Sequence, residues 1–320
     1  MEIFELILPI FGILATGTLA KNFKLVKPEL SFFLIQFIFY IGAPALLIRV
    51  IATTPIEMIW RSDFFFVVGL IFPLFILLTF INKFLLKRPF LDSNLYALSA
   101  TMSNAGFIGL PILYTTFGEP SILPATFSIL IMILLLTLSI FVLEISASAH
   151  SSIRSACLKA LLNSIKNPII ISCVIGIFYS LFNLPKPAGL FKYLKLLEGS
   201  VTPCALFAVG MQIEYKSFFK GLKATFFSSL FKLIILPALV LLLTLKIKLP
   251  PIWAISAVFV NALPTAKSCF IISNIYDKSL NQHIVKRVSM ILAVTTFLSI
   301  FTLFAWLILL SMIFSPTSTT

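Results

Sequence analysis

The chain is a succession of apolar runs, each about as long as a helix needs to be to cross a bilayer and each closed by a short polar punctuation. Read by hydropathy and length, spans fall at about 4–20, 29–53, 63–82, 93–117, 121–145, 168–183, 189–213, 224–245, 250–275 and 286–313. Composition removes the alternative of a buried core in a soluble protein. With 60% hydrophobic and 11% charged residues and a mean hydropathy of +1.10, polar surface is too scarce to coat a globule. The expected fold class is an all-α integral membrane protein with ten transmembrane helices and no large soluble domain. The first run opens on Glu2 and Glu5, where a secretory signal carries positive charge, so it reads as the first span.

A net charge of +13 would direct attention to nucleic acid in a soluble protein. Here the bases sit in short connections, without a basic block, and orientation and lipid headgroups explain them; no nucleic-acid partner is expected. Cys157, Cys173, Cys204 and Cys269 are scattered without metal or redox spacing and read as small apolar fillers, so no cofactor is expected. His150 and His283 both fall in connections, and neither an HExxH nor a paired-Asp motif occurs, which argues against an enzyme.

An internal repeat organises the spans. Shifting the chain by 159 residues pairs Pro9 with Pro168, Gly17 with Gly176, Lys27 with Lys186, Pro28 with Pro187 and Pro44 with Pro203, without a gap. A slightly different shift aligns FPLFILLT (72–79) with LPALVLLLT (236–244) and LSATMSNA (98–105) with ISAVFVNA (255–262). Two five-helix repeats result, 1–145 and 168–320, joined by the polar segment 146–167. An odd number of spans makes the second copy enter from the opposite side, so the repeat is inverted. One set of alternate connections carries 15 Lys and Arg and the other 6. The richer set belongs inside, which makes the middle segment cytoplasmic and puts both termini outside.

Two stretches break this pattern. SNAGFIGLP (103–111) and NALPTAKS (261–268) put Gly, Asn and Pro inside apolar runs, at matching places in the two halves. Paired interrupted helices in inverted repeats mark a carrier's midplane site: unwound backbone offers N–H and C=O groups to a ligand, and half-helix N-termini favour an anion. Asn104 and Asn261 add a donor and an acceptor each. Simple kinks that shape the bundle are the alternative reading.

With GAPALL (42–47), these motifs resemble the auxin efflux carrier family, which includes plant auxin exporters and bacterial malonate or malate permeases; the resemblance covers nearly the whole chain. It implies ten spans in two inverted repeats, with broken helices 4 and 9 crossing at the centre, a dimer-forming scaffold and a mobile transport unit. It points to Asn104, Pro111, Asn261 and Pro264 around the crossing, with Pro44 and Pro203 beside it. The candidate substrate-binding set is completed by Ala105, Gly106, Gly109, Ala262, Thr265 and Lys267. The implied activity is secondary transport of a small organic anion, a carboxylate, across the cytoplasmic (inner) membrane by a homodimer; the alternatives are a sodium-coupled bile-acid-type carrier or a channel of similar architecture. The short middle segment replaces the long loop of many plant carriers, and Lys267 stands where an uncharged residue is expected.

Two roles are open to Lys267: pairing with a substrate carboxylate, or snorkelling and backbone pairing. For Lys232 the same two roles are open, with snorkelling to the cytoplasmic surface ahead of substrate pairing; Arg49 reads mainly as an interfacial anchor, and Glu144 and Glu198 as solvated groups near span ends. Few buried carboxylates are available to relay protons or cage sodium, so movement by potential alone and movement with a substrate-borne proton both stay open.

Overall fold

Backbone polar groups at membrane depth must be satisfied within the protein, and a helix does so within one segment. The computed structural model describes residues 2–55, 61–147, 167–212, 215–277 and 283–314, and among these it is all-helical, with no strand beyond one isolated bridge between Ser103 and Thr265. In chain order the helices are α1 (Glu2–Asn22), α2 (Leu30–Thr53), α3 (Ser62–Leu85), α4 (Phe90–Thr101), α5 (Ala105–Phe117), α6 (Ile122–Ala147), α7 (Pro168–Leu181), α8 (Ala188–Met211), α9 (Gly221–Ile247), α10 (Pro251–Ala262), α11 (Lys267–Tyr276) and α12 (His283–Phe314). Among the described residues six helices are long and apolar enough to cross a membrane: α2, α3, α6 with the turn before it, α8, α9 and α12. Shorter apolar helices occupy 105–117, 168–181 and 251–262. The connecting segment expected at 146–167, with Cys157 and His150, lies outside the described residues but for Ser146, Ala147 and Asn167.

The chain divides into two compact units, and both draw on both halves of the sequence. The first comprises Met1–Ser62, Gly106–Phe127 and Leu162–Ile213; the second comprises Asp63–Ala105, Ser128–Leu161 and Glu214–Thr320.

In the first unit, α1 packs on α8 and α7 packs on α2. Small residues let these backbones approach closely, since lipid offers no hydrophobic drive to associate. A Cβ on Gly17 would lie 2.2 Å from the Phe207 carbonyl oxygen, and one on Gly210 would lie 2.1 Å from that of Leu14. Thr18 Oγ1 donates to the Gly210 carbonyl at 2.8 Å across the same seam. In the other pair, a Cβ on Gly176 would lie 2.7 Å from Ile51 Cβ, and Ser180 Oγ donates to the Thr54 carbonyl at 2.6 Å. Helix α7 starts cleanly because the Asn167 side chain caps the Ile169 N–H at 2.9 Å and Pro168 takes the first helical position.

In the second unit, α9 packs along α12 and α10, and α3 along α4. The Phe64 and Trp253 rings meet edge to face at 4.9 Å, and Trp306 Nε1 donates to the Leu233 carbonyl at 2.9 Å. Helix α9 contains a π turn at Phe231–Ile235. Such a turn offsets the side chains that follow from regular spacing and is a recurrent device at functional sites. Here it carries Lys232.

Candidate functional site

The irregular backbone of the two stretches, at 102–104 and 263–266, meets inside the second unit. Helix α4 ends at Thr101 and the chain runs extended at Met102 (ψ 121°); α10 ends at Ala262, with Leu263 (ψ 154°) and Ala266 (ψ 144°) extended before α11 begins. Pro264, which has no N–H to give, keeps the residue before it out of the helical region. At such a break, backbone groups lose their helical partners, a cost of several kcal/mol apiece in hydrocarbon.

Here each break repairs the other. Asn104 N–H donates to the Pro264 carbonyl at 3.0 Å, and Ala266 N–H donates to the Met102 carbonyl at 3.2 Å, on either side of the Ser103–Thr265 bridge. Thr265 Oγ1 donates to the Ser99 carbonyl at 2.7 Å, satisfying the frayed end of α4, while Thr295 Oγ1 accepts from Thr265 N–H at 3.3 Å. Thr265→Val keeps the shape and strands the Ser99 carbonyl; it is expected to cost about 1 to 3 kcal/mol, read as a lower unfolding midpoint in detergent, with Thr265→Ser losing less.

Into this bridge reaches Lys232. Its Nζ donates to Ser103 Oγ at 2.6 Å and to the Asn261 carbonyl at 3.0 Å, tying one broken stretch to the other, and the side chain is completely buried. Among the described residues no carboxylate pairs with it. The snorkelling role read from sequence is therefore wrong for Lys232: the π turn lies within α9, and the amine ends on the broken helices. Asn261 is buried, with Nδ2 donating to the Ala257 carbonyl at 2.8 Å and Oδ1 lacking a partner among the described residues.

The sequence-derived set divides between the units. Asn104, Ala105, Asn261, Ala262, Pro264, Thr265 and Lys267 belong to the second; Gly106, Gly109, Pro111, Pro44 and Pro203 belong to the first. In the second, Ala262 and Thr265 are fully buried, Asn104 is half-buried, and Lys267 is half-buried at the first position of α11. In the first unit, Gly109 and Pro111 are buried in α5, Pro44 is half-buried in α2, and Pro203 is exposed on α8, which packs on α5.

The first unit holds a second polar cluster. Arg49 on α2 donates through Nε and Nη2 to both carboxylate oxygens of Glu198 on α8, the Nη2 bond measuring 2.7 Å, and through Nη2 to Glu119 at 2.9 Å. Tyr114 Oη also donates to Glu198, at 2.8 Å. Glu198 is 2% exposed and Arg49 8%. Both sequence readings fail here: Glu198 is a buried counter-ion rather than a solvated group, and Arg49 is an internal tie rather than an interfacial anchor. The side chain of Glu144 lies outside the described residues.

Irregular backbone at depth with a buried cation on it is the arrangement on which solute carriers build their binding sites. The family described as "Membrane transport protein" matches residues 2–307, nearly the whole chain. The chain belongs to this family. It is that of the auxin efflux carriers, and the protein is accordingly a membrane transporter and not an enzyme. This carrier is 27% identical over 318 residues to a Rhizobium meliloti protein named "Putative malonate transporter", covering 94% of this chain and 93% of that one. It is also 24% identical over 199 residues to "Uncharacterized transporter YfdV" of Escherichia coli, covering 60% of this chain and 63% of that protein.

Proposed function

We propose that this carrier moves a small dicarboxylate of the malonate class across the cytoplasmic membrane, binding it where the two broken stretches meet. The observation that carries the reading is the amine of Lys232, wholly buried and bonded to both stretches without a carboxylate partner among the described residues. A buried cation without a counter-ion favours an anionic ligand. Asn104 and Lys267, flanking the bridge, supply further donors, and the N-terminus of α11 adds partial positive charge. The name of the Rhizobium meliloti relative supports the choice of anion.

The architecture that goes with this function is ten spans in two inverted five-helix repeats, 1–145 and 168–320, around a cytoplasmic segment at 146–167. The first compact unit acts as a scaffold that pairs with a second copy, and the second unit moves with the substrate. Gly17 and Gly176, related by the 159-residue shift, support the repeat: each lies where a Cβ would collide with a partner helix, in the pairs α1 with α8 and α7 with α2. Single cysteines placed at Lys87 and Lys186 are expected to label from opposite faces, cytoplasmic and external respectively. Labelling from one face removes the inverted repeat.

Malonate binding to the purified carrier, followed by counterflow in liposomes, tests the function. Asn104→Ala and Asn261→Ala are expected to weaken binding by about 0.5 to 1.5 kcal/mol each, or more where the amide meets a carboxylate. The double variant should be non-additive, because both amides act on one molecule. Unchanged affinity in both single variants, with lowered stability instead, would return the breaks to a packing role.

A further inference from the structure

In carriers built on broken helices, freed carbonyls and the C-terminal ends of half-helices are the groups that coordinate a coupling cation. The described residues hold such a set around Lys232. The Asn261 carbonyl belongs to the last turn of α10, where the helix dipole concentrates negative charge. Ser103 Oγ comes from the other break, and the 2.6 Å approach of Nζ to it is as short as a charge-assisted bond. Asn261 Oδ1 is a further buried oxygen, without a donor among the described residues; orphaned buried acceptors of this kind call for an explanation. The ionisable group beside the amine is the buried Cys269 thiol, and no carboxylate among the described residues balances it.

We propose that the Lys232 ammonium is a tethered cation occupying the position of a diffusible coupling cation, so that this carrier works without sodium, and that removing the amine opens a site for a small monovalent cation. The proposal rests on reading the meeting of the broken stretches as the binding place. A positive charge held on a four-carbon stem stays with the protein through the cycle, which leaves the anion as the moving charge. A diffusible ion bound to the same oxygens would travel with the substrate and tie its gradient to transport.

The test uses the full-length carrier in detergent. Thermal unfolding and malonate binding are measured in sodium, ammonium, methylammonium and choline chlorides at equal ionic strength, for the wild type and for Lys232→Ala. The wild type is expected to give the same midpoint and affinity in all four salts. Lys232→Ala should be less stable in choline, and sodium, ammonium or methylammonium should restore at least half of the lost midpoint, since a cation that binds only the folded state stabilises it. Binding in the variant should fall about tenfold in choline and recover with the same cations. A wild type that needs sodium for binding or stability overturns the proposal, and does so even if Lys232→Ala fails to fold. So does a folded Lys232→Ala that is indifferent to every small cation. Because unfolding midpoints do not involve the substrate, a carrier that ignores malonate, which would sink the functional reading, still reports on the cation site.

Discussion

Glu198→Ala is expected to lower the stability of the carrier by about 3 to 5 kcal/mol, because it leaves Arg49 buried with its principal partner gone. Arg49 spreads its guanidinium over both oxygens of Glu198, and Tyr114 donates to the same carboxylate, so one truncation unties α2, α5 and α8 together. Glu119 does not compensate: its side chain is 55% exposed, and an ion pair in water contributes at most about 1 kcal/mol. Glu198→Gln keeps an acceptor for Tyr114 and should cost less. Replacing both ends of the pair, Arg49→Met with Glu198→Leu, should recover most of the loss, because no charge is then left buried. Unfolding midpoints of Arg49→Met, Glu198→Leu and the double variant close the cycle. A double variant as unstable as the sum of the singles would mean that the two residues act separately.

The second large effect is steric. Gly17→Ala and Gly210→Ala each direct a methyl at a backbone carbonyl, at 2.2 and 2.1 Å from the oxygen, and neither obstacle is the end of a flexible side chain that can swing aside. Helix α1 has to separate from α8, breaking the Thr18 bond to the Gly210 carbonyl. Each substitution should cost about 1 to 3 kcal/mol as overpacking, and more where the seam opens along its length. Gly12, on the same helix α1, has nothing within 4 Å of its Cβ position. Gly12→Ala should therefore stabilise, by about 0.5 to 1 kcal/mol of helix propensity. Opposite signs at positions five residues apart in one helix separate packing from propensity, and equal effects would remove the close-approach argument.

The breaks were legible in the sequence because Asn, Gly and Pro interrupt helix chemistry wherever they stand; the structure puts irregular backbone at 102–104 and 263–266. The role of Lys232 was not. Hydropathy registers one charge in an apolar run without registering its direction, and the π turn that helps set the direction does not show in the spacing of apolar residues. One signal was available: in the alignment that pairs Pro73 with Pro237, Lys232 falls opposite Val68, a charge in one half without a counterpart in the other. The pairing of Arg49 with Glu198 is hidden in the sequence for a different reason. Charges near span ends resemble headgroup anchors, and only a tertiary fold joins residues 149 apart in the chain. Lys267 stands just after a break, yet the amine that holds the two breaks together comes from a neighbouring helix.

The mutual repair of the breaks has a consequence for biosynthesis. Met102 and Asn104 are synthesised some 160 residues before Ala266 and Pro264, the residues that satisfy their backbone groups. At translation rates of about 5 to 20 residues per second, that interval is roughly 10 to 30 s. A stretch with stranded amides is a poor guest in hydrocarbon for so long. The first break therefore has to enter the membrane as continuous helix or under the shelter of the insertion machinery, and takes its final shape only when the second half of the chain arrives. Truncation before residue 264 should accordingly yield a product that quality-control proteases recognise, however well its individual helices insert.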